Sequence, residues 1–204
     1  MNWFITGTDT GVGKTYVTCL LIEALRARGE SAVGYKPLCC GERDDVRALW
    51  EASGRRHDLA LDAINPVWLR PPAAPYTASM IEERPIDIEQ LLDGYQSLRR
   101  RFDHVLVEGV GGWLVPIRHD YDSAQLAVDL GLPVALVVHN RLGAINHTLL
   151  TLEAIRSRNL ECAGIILNAF GECGDDEIAV RTNPAVSEQL ADAPPLLRVN
   201  PEQA

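Results

Sequence analysis

The 204-residue sequence predicts an α/β fold in which a mostly parallel sheet carries helices on both faces. Short, continuous apolar runs alternate along the chain with segments whose apolar residues recur at helical spacing. A glycine-rich turn at residues 7–15 joins the first apolar run to the first helical segment. Together these observations predict one domain, residues 1–204, of the phosphate-binding-loop (P-loop) type.

Each predicted element follows from a local pattern. The strands are the apolar runs at residues 2–6, 31–35, 104–108, 133–138 and 163–167. The helices are centred on residues 17–25, 46–50, 88–98, 122–130 and 145–155. Gly29 and Gly131 end two of these helices, and Asp87 begins a third, with Gln90 placed for a capping box. Four prolines between residues 65 and 79 predict a rigid loop, and the sequence after residue 183 is assigned no element.

Residues 7–15 read Gly-Thr-Asp-Thr-Gly-Val-Gly-Lys-Thr. Glycines let backbone amides approach phosphate oxygens, and the start of the following helix directs further amides at the same anion. Lys14 can reach the β and γ phosphates, and the Thr15 hydroxyl can bind Mg²⁺. Gly7 stands one place earlier than the usual spacing, so the loop is a variant. The alternative is a glycine-rich turn that binds no nucleotide.

Several polar residues directly follow predicted strands, where parallel sheets collect their ligands. Lys36 could offer charge to a phosphoryl group or to an anionic substrate, and Cys40 lies in the loop after it. Glu108, at the tip of a buried strand, suits Mg²⁺ bound to ATP. Asp44 and Asp45 begin a helix. One of them is expected to stabilise the helix start, and the other could complete the metal site.

Charge and composition exclude several classes of protein. The net charge of −9 argues against general nucleic-acid binding, and no apolar stretch approaches the length that spans a membrane. The first residues already form a predicted core strand rather than a signal segment, so we expect a cytoplasmic protein. The five cysteines are odd in number and form no Cys-x-x-Cys pair, so neither a disulfide framework nor a zinc site is expected.

Five sequence blocks, in order, resemble the dethiobiotin synthetase family. They are residues 6–15 (Thr-Gly-Thr-Asp-Thr-Gly-Val-Gly-Lys-Thr), 34–37 (Gly-Tyr-Lys-Pro), 107–113 (Val-Glu-Gly-Val-Gly-Gly-Trp), 142–147 (Leu-Gly-Ala-Ile-Asn-His) and Asn168. The P-loop alone indicates only the wider class of related ATPases. The other blocks are more specific, and together the five span about residues 2–170.

The resemblance implies a Mg²⁺-dependent enzyme that uses ATP to convert 7,8-diaminononanoate and CO₂ to dethiobiotin. Lys14 and Lys36 would be catalytic, and the metal would bind Thr15, Asp45 and Glu108. The nucleotide would contact Thr10, Gly11, Val12, Gly13, Lys14, Thr15, Asn168 and Pro201. The substrate would contact Lys36, Cys40, Gly111, Leu142, Gly143 and Asn146. The family is homodimeric, and the segment at residues 142–147 would reach the neighbouring subunit's site.

Two other functions remain open at this point. A cobyrinate-type amide ligase on the same fold would share the P-loop but should lack the blocks at 34–37 and 142–147. A partitioning or septum-positioning ATPase would act as a switch that binds DNA, membrane or protein. Such proteins usually carry a lysine where this sequence has Asp9. Cys40 and Gly11 also depart from the family pattern, where a serine and an acidic residue are frequent.

Overall fold

The computed structural model describes residues 1–55, 58–169, 177–191 and 196–199. The strands are β1 (Asn2–Gly7), β2 (Ala32–Tyr35), β3 (Leu38–Cys40), β4 (Val67–Leu69), β5 (His104–Glu108), β6 (Pro116–Arg118), β7 (Tyr121–Asp122), β8 (Val134–His139), β9 (Cys162–Asn168) and β10 (Leu196–Val199). The helices are α1 (Lys14–Ala27), α2 (Asp44–Ala52), α3 (Leu61–Ile64), α4 (Pro75–Ile81), α5 (Ile88–Arg99), α6 (Ser123–Leu130), α7 (Ala144–Ser157) and α8 (Glu177–Leu190).

Six strands form one parallel sheet in the order β10-β9-β8-β1-β5-β2. Alternate residues of the central strands face opposite layers of helices. Phe4 and Val134 pack with α5, α6 and α7, whereas Ile5 and Leu106 pack with α1 and α2. This two-sided burial explains why the strands read as continuous apolar runs. The predicted fold class is confirmed.

The prediction of a rigid loop over residues 65–79 is wrong. Strand β4 lies within this segment and pairs with β3 in a separate two-stranded parallel sheet. Helix α4 begins there with Pro75 in its first turn. Proline is tolerated at that position because the first amides of a helix have no partner within the helix.

The chain after residue 183 also contains regular structure. Helix α8 continues through Pro184 to Leu190, and β10 adds an edge strand beside β9. The capping prediction for α5 is half correct. Asp87 accepts a hydrogen bond from the Glu89 amide at 3.0 Å, but the Gln90 side chain donates to the Pro66 carbonyl instead of closing a capping box.

The structure bears on two further expectations, one about the cysteines and one about membrane-spanning segments. Cys19, Cys39, Cys40 and Cys162, the cysteines that the structure describes, are free thiols. Within the described ranges, no helix is long and apolar enough to cross a bilayer.

Candidate active site

A cavity of about 940 Å³ opens at the carboxyl ends of the central strands. This is where ligands collect in open parallel sheets. Most of the predicted site residues line it, namely Thr10, Gly11, Gly13, Lys14, Thr15, Lys36, Cys40, Asp45, Glu108, Gly111 and Asn168. Segments that are distant in sequence therefore meet at one site, as their positions after strands predict.

The P-loop joins β1 to α1 in a conformation that depends on glycine. Gly11 and Gly13 have φ values of 74° and 88°, which other residues rarely adopt. Gly13 precedes α1 without a side-chain cap, so the first amides of the helix face the cavity end of the loop. A Cβ atom on Gly7 would lie 2.6 Å from Cγ2 of Val12. This close contact accounts for the early glycine of the variant loop.

Lys14 is almost fully buried, and its ammonium donates to the Asp9 carbonyl at 3.1 Å. Burial and, after it, the nearby charge of Lys36 lower the pKa of Lys14 to about 8, while Glu108 and Asp45 oppose the shift. An anion in the cavity would favour the charged form of Lys14. The residue is therefore placed to bind a ligand rather than to support packing.

Lys36 is the centre of a buried ion-pair network. Its ammonium donates to Glu108 Oε1, to Asp45 Oδ2 at 3.2 Å and to the Gly109 carbonyl at 3.5 Å. Burial disfavours the charge on Lys36, but the two carboxylates outweigh burial and raise its pKa above the ordinary value. Desolvation likewise opposes the charge of Asp45, whereas the charge and the hydrogen bond of Lys36 hold its pKa below the usual range. The network therefore keeps Lys36 cationic and Asp45 anionic.

Thr15, Asp45 and Glu108 offer an oxygen donor set that fits a magnesium ion. The Thr15 hydroxyl donates to Glu108 Oε1 at 2.9 Å, so these two groups already touch. Glu108 Oε2 is buried and has no hydrogen-bond partner among the described residues. Magnesium commonly binds one or two carboxylates and completes its shell with phosphate oxygens and water. Asp44, by contrast, pairs with Arg47 at 2.7 Å, and 78% of its side chain is exposed.

Asn168, Cys40 and Gly111 occupy three other parts of the cavity wall. The Asn168 amide donates to the Val12 carbonyl at 3.0 Å, which links β9 to the P-loop, and its Oδ1 has no partner within the described structure. Burial, followed by the neighbouring Cys39, raises the pKa of Cys40 to about 12, so its thiol stays protonated. Gly111 has a φ of 60°, and a Cβ there would lie 2.7 Å from Val115.

The segment predicted to contact substrate from residue 142 onward does not line this cavity. Leu142 is 75% exposed, Gly143 precedes α7 with a φ of 89°, and Asn146 is also exposed. Neither these three residues nor Val12, a predicted nucleotide contact whose carbonyl accepts from Asn168, is among the residues that line the cavity. Pro201 lies outside the described residues.

Sequence reasoning missed the apolar wall of the cavity. This wall consists of Pro72, Ala73, Ala74, Pro75, Val110 and Val115. Its members come from the proline-rich segment and from the loop after β5, neither of which carries a polar signal. The clustering of prolines was visible in the sequence, but it indicated only stiffness.

The parallel sheet, the P-loop between β1 and α1 and the acidic residues beside it define a P-loop nucleotide-binding protein. Solved structures agree on the fold. The septum site-determining protein MinD complexed with Mg-ADP from Pyrococcus horikoshii superposes with a TM-score of 0.59 at 19% identity, covering 96% of this chain and 79% of its own. The hydrogenase maturation factor HypB from Archaeoglobus fulgidus superposes with a TM-score of 0.56 at 15% identity, covering 100% of this chain and 83% of its own. At such identities the likeness extends to the fold alone.

Sequence comparison identifies the family. A family model described as an AAA domain matches residues 2–203. The chain is 48% identical over 193 residues to the ATP-dependent dethiobiotin synthetase BioD of Akkermansia muciniphila, covering 95% of this chain and 89% of the relative. It is 47% identical over 174 residues to the same-named protein of Aromatoleum aromaticum, covering 81% of this chain and 76% of the relative. The chain belongs to the ATP-dependent dethiobiotin synthetase family, as the sequence blocks predict.

Proposed function

We propose that the protein is an ATP-dependent ligase of biotin biosynthesis that converts 7,8-diaminononanoate and CO₂ to dethiobiotin. The observation that carries the proposal is one cavity in which the P-loop lysine, Lys14, and a second buried lysine, Lys36, face the same space. Such a site can hold a triphosphate beside a second anion. Membership of the dethiobiotin synthetase family selects this reaction over the amide ligase and the switch ATPase.

The shape of the cavity supports a substrate with a long apolar chain. One wall is formed by Pro72–Pro75 together with Val110 and Val115, and these side chains are almost entirely non-polar. An aliphatic chain gains free energy when it leaves water for such a surface. Lys36 and Cys40 lie on the same cavity, so the polar end of the substrate would face them while its chain follows the apolar wall.

The proposed reaction proceeds in three steps. One amine of the substrate attacks CO₂ and loses a proton to give a carbamate. A carbamate oxygen then attacks the γ-phosphorus of ATP, the bond to ADP breaks, and a carbamic-phosphoric anhydride forms. The second amine attacks the carbonyl carbon and loses a proton, the bond from that carbon to the phosphate oxygen breaks, phosphate leaves, and the ureido ring closes. The enzyme's contribution is to bring three anionic groups together in a fixed geometry and to compensate their charge. These groups are the carbamate, the triphosphate and the carboxylate of the substrate's chain.

The residues of this chain fit distinct roles in that sequence. The P-loop amides and Lys14 would bind the phosphates, and Lys36 would neutralise the carbamate and the phosphoryl group as it transfers. Asn168 would recognise the base through its unpaired carbonyl oxygen. Thr15, Asp45 and Glu108 would hold Mg²⁺, which neutralises phosphate charge when bound. The existing contact between Thr15 and Glu108 supports this metal site.

The exposure of Leu142, Gly143 and Asn146 supports a homodimer in which this segment completes the neighbouring subunit's site. The start of α7 has no side-chain cap, and although the Ala144 amide donates to the Arg141 carbonyl at 3.1 Å, the next amides would be available to the substrate's carboxylate. A two-fold dimer would place each segment against the partner's cavity and create two equivalent sites.

The direct test is product formation. The protein is incubated with ATP, Mg²⁺, bicarbonate and 7,8-diaminononanoate, and dethiobiotin and ADP are followed by mass spectrometry. Equal amounts of the two products are expected, with none when the diamine is omitted. ATP hydrolysis that does not depend on the diamine, without dethiobiotin, would contradict the proposal and favour a switch ATPase.

Replacing Lys14 gives the matching prediction for the site. Lys14→Ala should lower turnover by about 100-fold or more, since it removes a fixed positive charge beside the phosphates. Its thermal denaturation midpoint should change little, because the charge lies in the cavity rather than in the packed core. Dethiobiotin formation near the unsubstituted rate would contradict the assignment of Lys14.

A further inference from the structure

Pro184 lies inside α8, where it changes the hydrogen bonding of the helix. Proline has no amide hydrogen, so the carbonyl four residues earlier, that of Val180, cannot accept the usual helical hydrogen bond. The Asn140 side-chain amide donates to this carbonyl at 3.0 Å. Asn140 lies in the loop between β8 and α7. A carbonyl that proline leaves without its helical donor thus serves as the attachment point for a loop of the candidate site.

Asn183, the residue before the proline, strengthens the same attachment. Its side-chain amide donates to Asn140 Oδ1 and to the Arg141 carbonyl, both at 2.9 Å. Asn140 and Asn183 are 6% and 3% exposed, so water does not compete effectively for these groups. Three hydrogen bonds therefore hold residues 140–141 against α8.

The loop is also tied to the nucleotide side of the cavity. The Asn140 backbone amide donates to the Asn168 carbonyl at 2.9 Å, and the Asn168 side chain donates to the carbonyl of Val12 in the P-loop. The contact from Asn140 to Asn168 uses backbone atoms only. Replacing the side chains of Asn140 or Asn183 would therefore cut the link to α8 and leave the link to the nucleotide site in place.

We propose that Asn140 and Asn183 are positioning residues for the diamine substrate, because they fix the segment at residues 141–146 against α8. This inference rests on the proposed function, in which Leu142 to Asn146 contact the substrate's carboxylate end. The segment begins at Arg141, whose carbonyl Asn183 binds. Neither asparagine lines the cavity, so their effect on the substrate passes through the loop.

The variant Asn183→Asp tests this with almost no change in shape. It replaces the donor nitrogen with an oxygen that faces two acceptor oxygens, and it adds a buried carboxyl group, so Asn140→Ala, which adds no charge, is measured beside it. The Michaelis constant for the diamine should rise about fivefold to tenfold, the factor expected for a hydrogen bond of ordinary strength. The Michaelis constant for ATP and the value of kcat should stay within about twofold of those of the unsubstituted protein, since the backbone contact to Asn168 remains.

Ser187→Ala is the matched control. Ser187 is buried one turn further along α8, and its hydroxyl has no partner among the described residues, so its removal should leave both Michaelis constants unchanged. The double variant Asn140→Ala, Asn183→Ala should raise the diamine constant by less than the product of the two single effects, because the side chains bind each other.

A second measurement separates this inference from the proposed function. Hydrogen–deuterium exchange of the amides at residues 141–146 should accelerate in Asn183→Asp and in Asn140→Ala, and not in Ser187→Ala. This result needs no turnover, so it holds even if dethiobiotin is not the product. Unchanged exchange in both asparagine variants, or equal increases in the ATP and diamine constants, would overturn the positioning role.

Discussion

Among single residues, Glu108 is completely buried, and its two carboxylate oxygens differ in their hydrogen bonding. Oε1 accepts from Lys36 and Thr15, whereas Oε2 has no partner in the described structure. A buried carboxylate oxygen without a hydrogen bond is costly, so this oxygen suits a ligand such as the proposed metal ion. The structure thereby favours a function for Glu108 over a purely structural role.

Glu108→Gln should reduce Mg²⁺-dependent turnover by about 100-fold or more, since the amide keeps the shape and removes the charge that attracts the metal. Initial rates measured over a range of Mg²⁺ concentrations would show this. Asp44→Asn is the matched control and should stay near the unsubstituted rate, because Asp44 faces solvent and Arg47. If Asp44→Asn were the more damaging change and Asp45→Asn silent, the metal site would have to include Asp44.

The four described cysteines should react slowly with iodoacetamide in the folded protein. Burial raises the pKa of Cys19 and of Cys40 to about 12 and also raises the pKa of Cys39 and Cys162. At pH 8 these groups are therefore thiols, and the thiolate is the reactive form. Peptide mapping after alkylation, with a urea-unfolded sample as control, would measure the difference. Rapid labelling of Cys40 in the folded protein would contradict the raised pKa.

At the scale of elements, helix α5 depends on its N-terminal cap. Asp87 accepts a hydrogen bond from the Glu89 amide, and its charge suits the positive end of the helix dipole. Asp87→Ala should lower the free energy of unfolding by about 1 kcal/mol, as measured by urea denaturation. Asp87→Ser restores a capping oxygen and should recover most of that loss. Equal destabilisation by both substitutions would show that the cap hydrogen bond is not the cause.

The long elements were predictable because their patterns are strong. Strands β1, β2, β5, β8 and β9 of the central sheet read as apolar runs, and α1, α5 and α7 show apolar residues at helical spacing. Strands β3 and β4 have three residues each, which is too short for a period to appear. Helix α4 was missed because Pro75 was interpreted as a loop residue, although it occupies the first turn of a helix. A proline at the start of a helix is compatible with that helix, so the position of Pro75 mattered more than its residue type.

The site residues, like the elements, were predictable where a strong local pattern placed them. Residues at the carboxyl ends of the strands of the central sheet, such as Lys36, Glu108 and Asn168, were predictable from the sheet alone. The contacts of Asn140 and Asn183 were not, because they depend on how α8 packs against a loop more than 40 residues away in sequence. Pro184 was the one available signal, and it indicated an end of regular structure instead of a modified helix.

At the scale of the whole molecule, the proposed shared site makes a prediction about mixed dimers. Asn146→Ala should raise the Michaelis constant for the diamine and leave ATP binding nearly unchanged, because Asn146 lies outside the cavity of its own chain. At a diamine concentration well below the Michaelis constant of Asn146→Ala, mixing Asn146→Ala subunits with Lys14→Ala subunits should give more activity than the sum of the two proteins measured separately. In the mixed dimer one site contains both changes and the other contains neither.

Sedimentation should accompany that experiment because it reports the dimer. Native mass spectrometry with one variant isotope-labelled would report the exchange of subunits. The control is a mixture of Lys14→Ala with Lys36→Ala subunits, both of which change the same cavity and should give no fully intact site. A fully active monomer at assay concentration, or absence of rescue despite demonstrated exchange, would contradict the shared site.

The central position of β1 has a consequence for synthesis on the ribosome. Asn2 pairs with Val105 of β5, and Phe4 pairs with Val134 of β8, so the strand made first has no neighbour in the sheet until much later residues have emerged. At a translation rate of about 5–20 residues per second, β1 remains unpaired for several seconds. During that time its apolar side chains are exposed in the nascent chain. The first strand therefore cannot take its place in the sheet until β5 and β8 are available to enclose it.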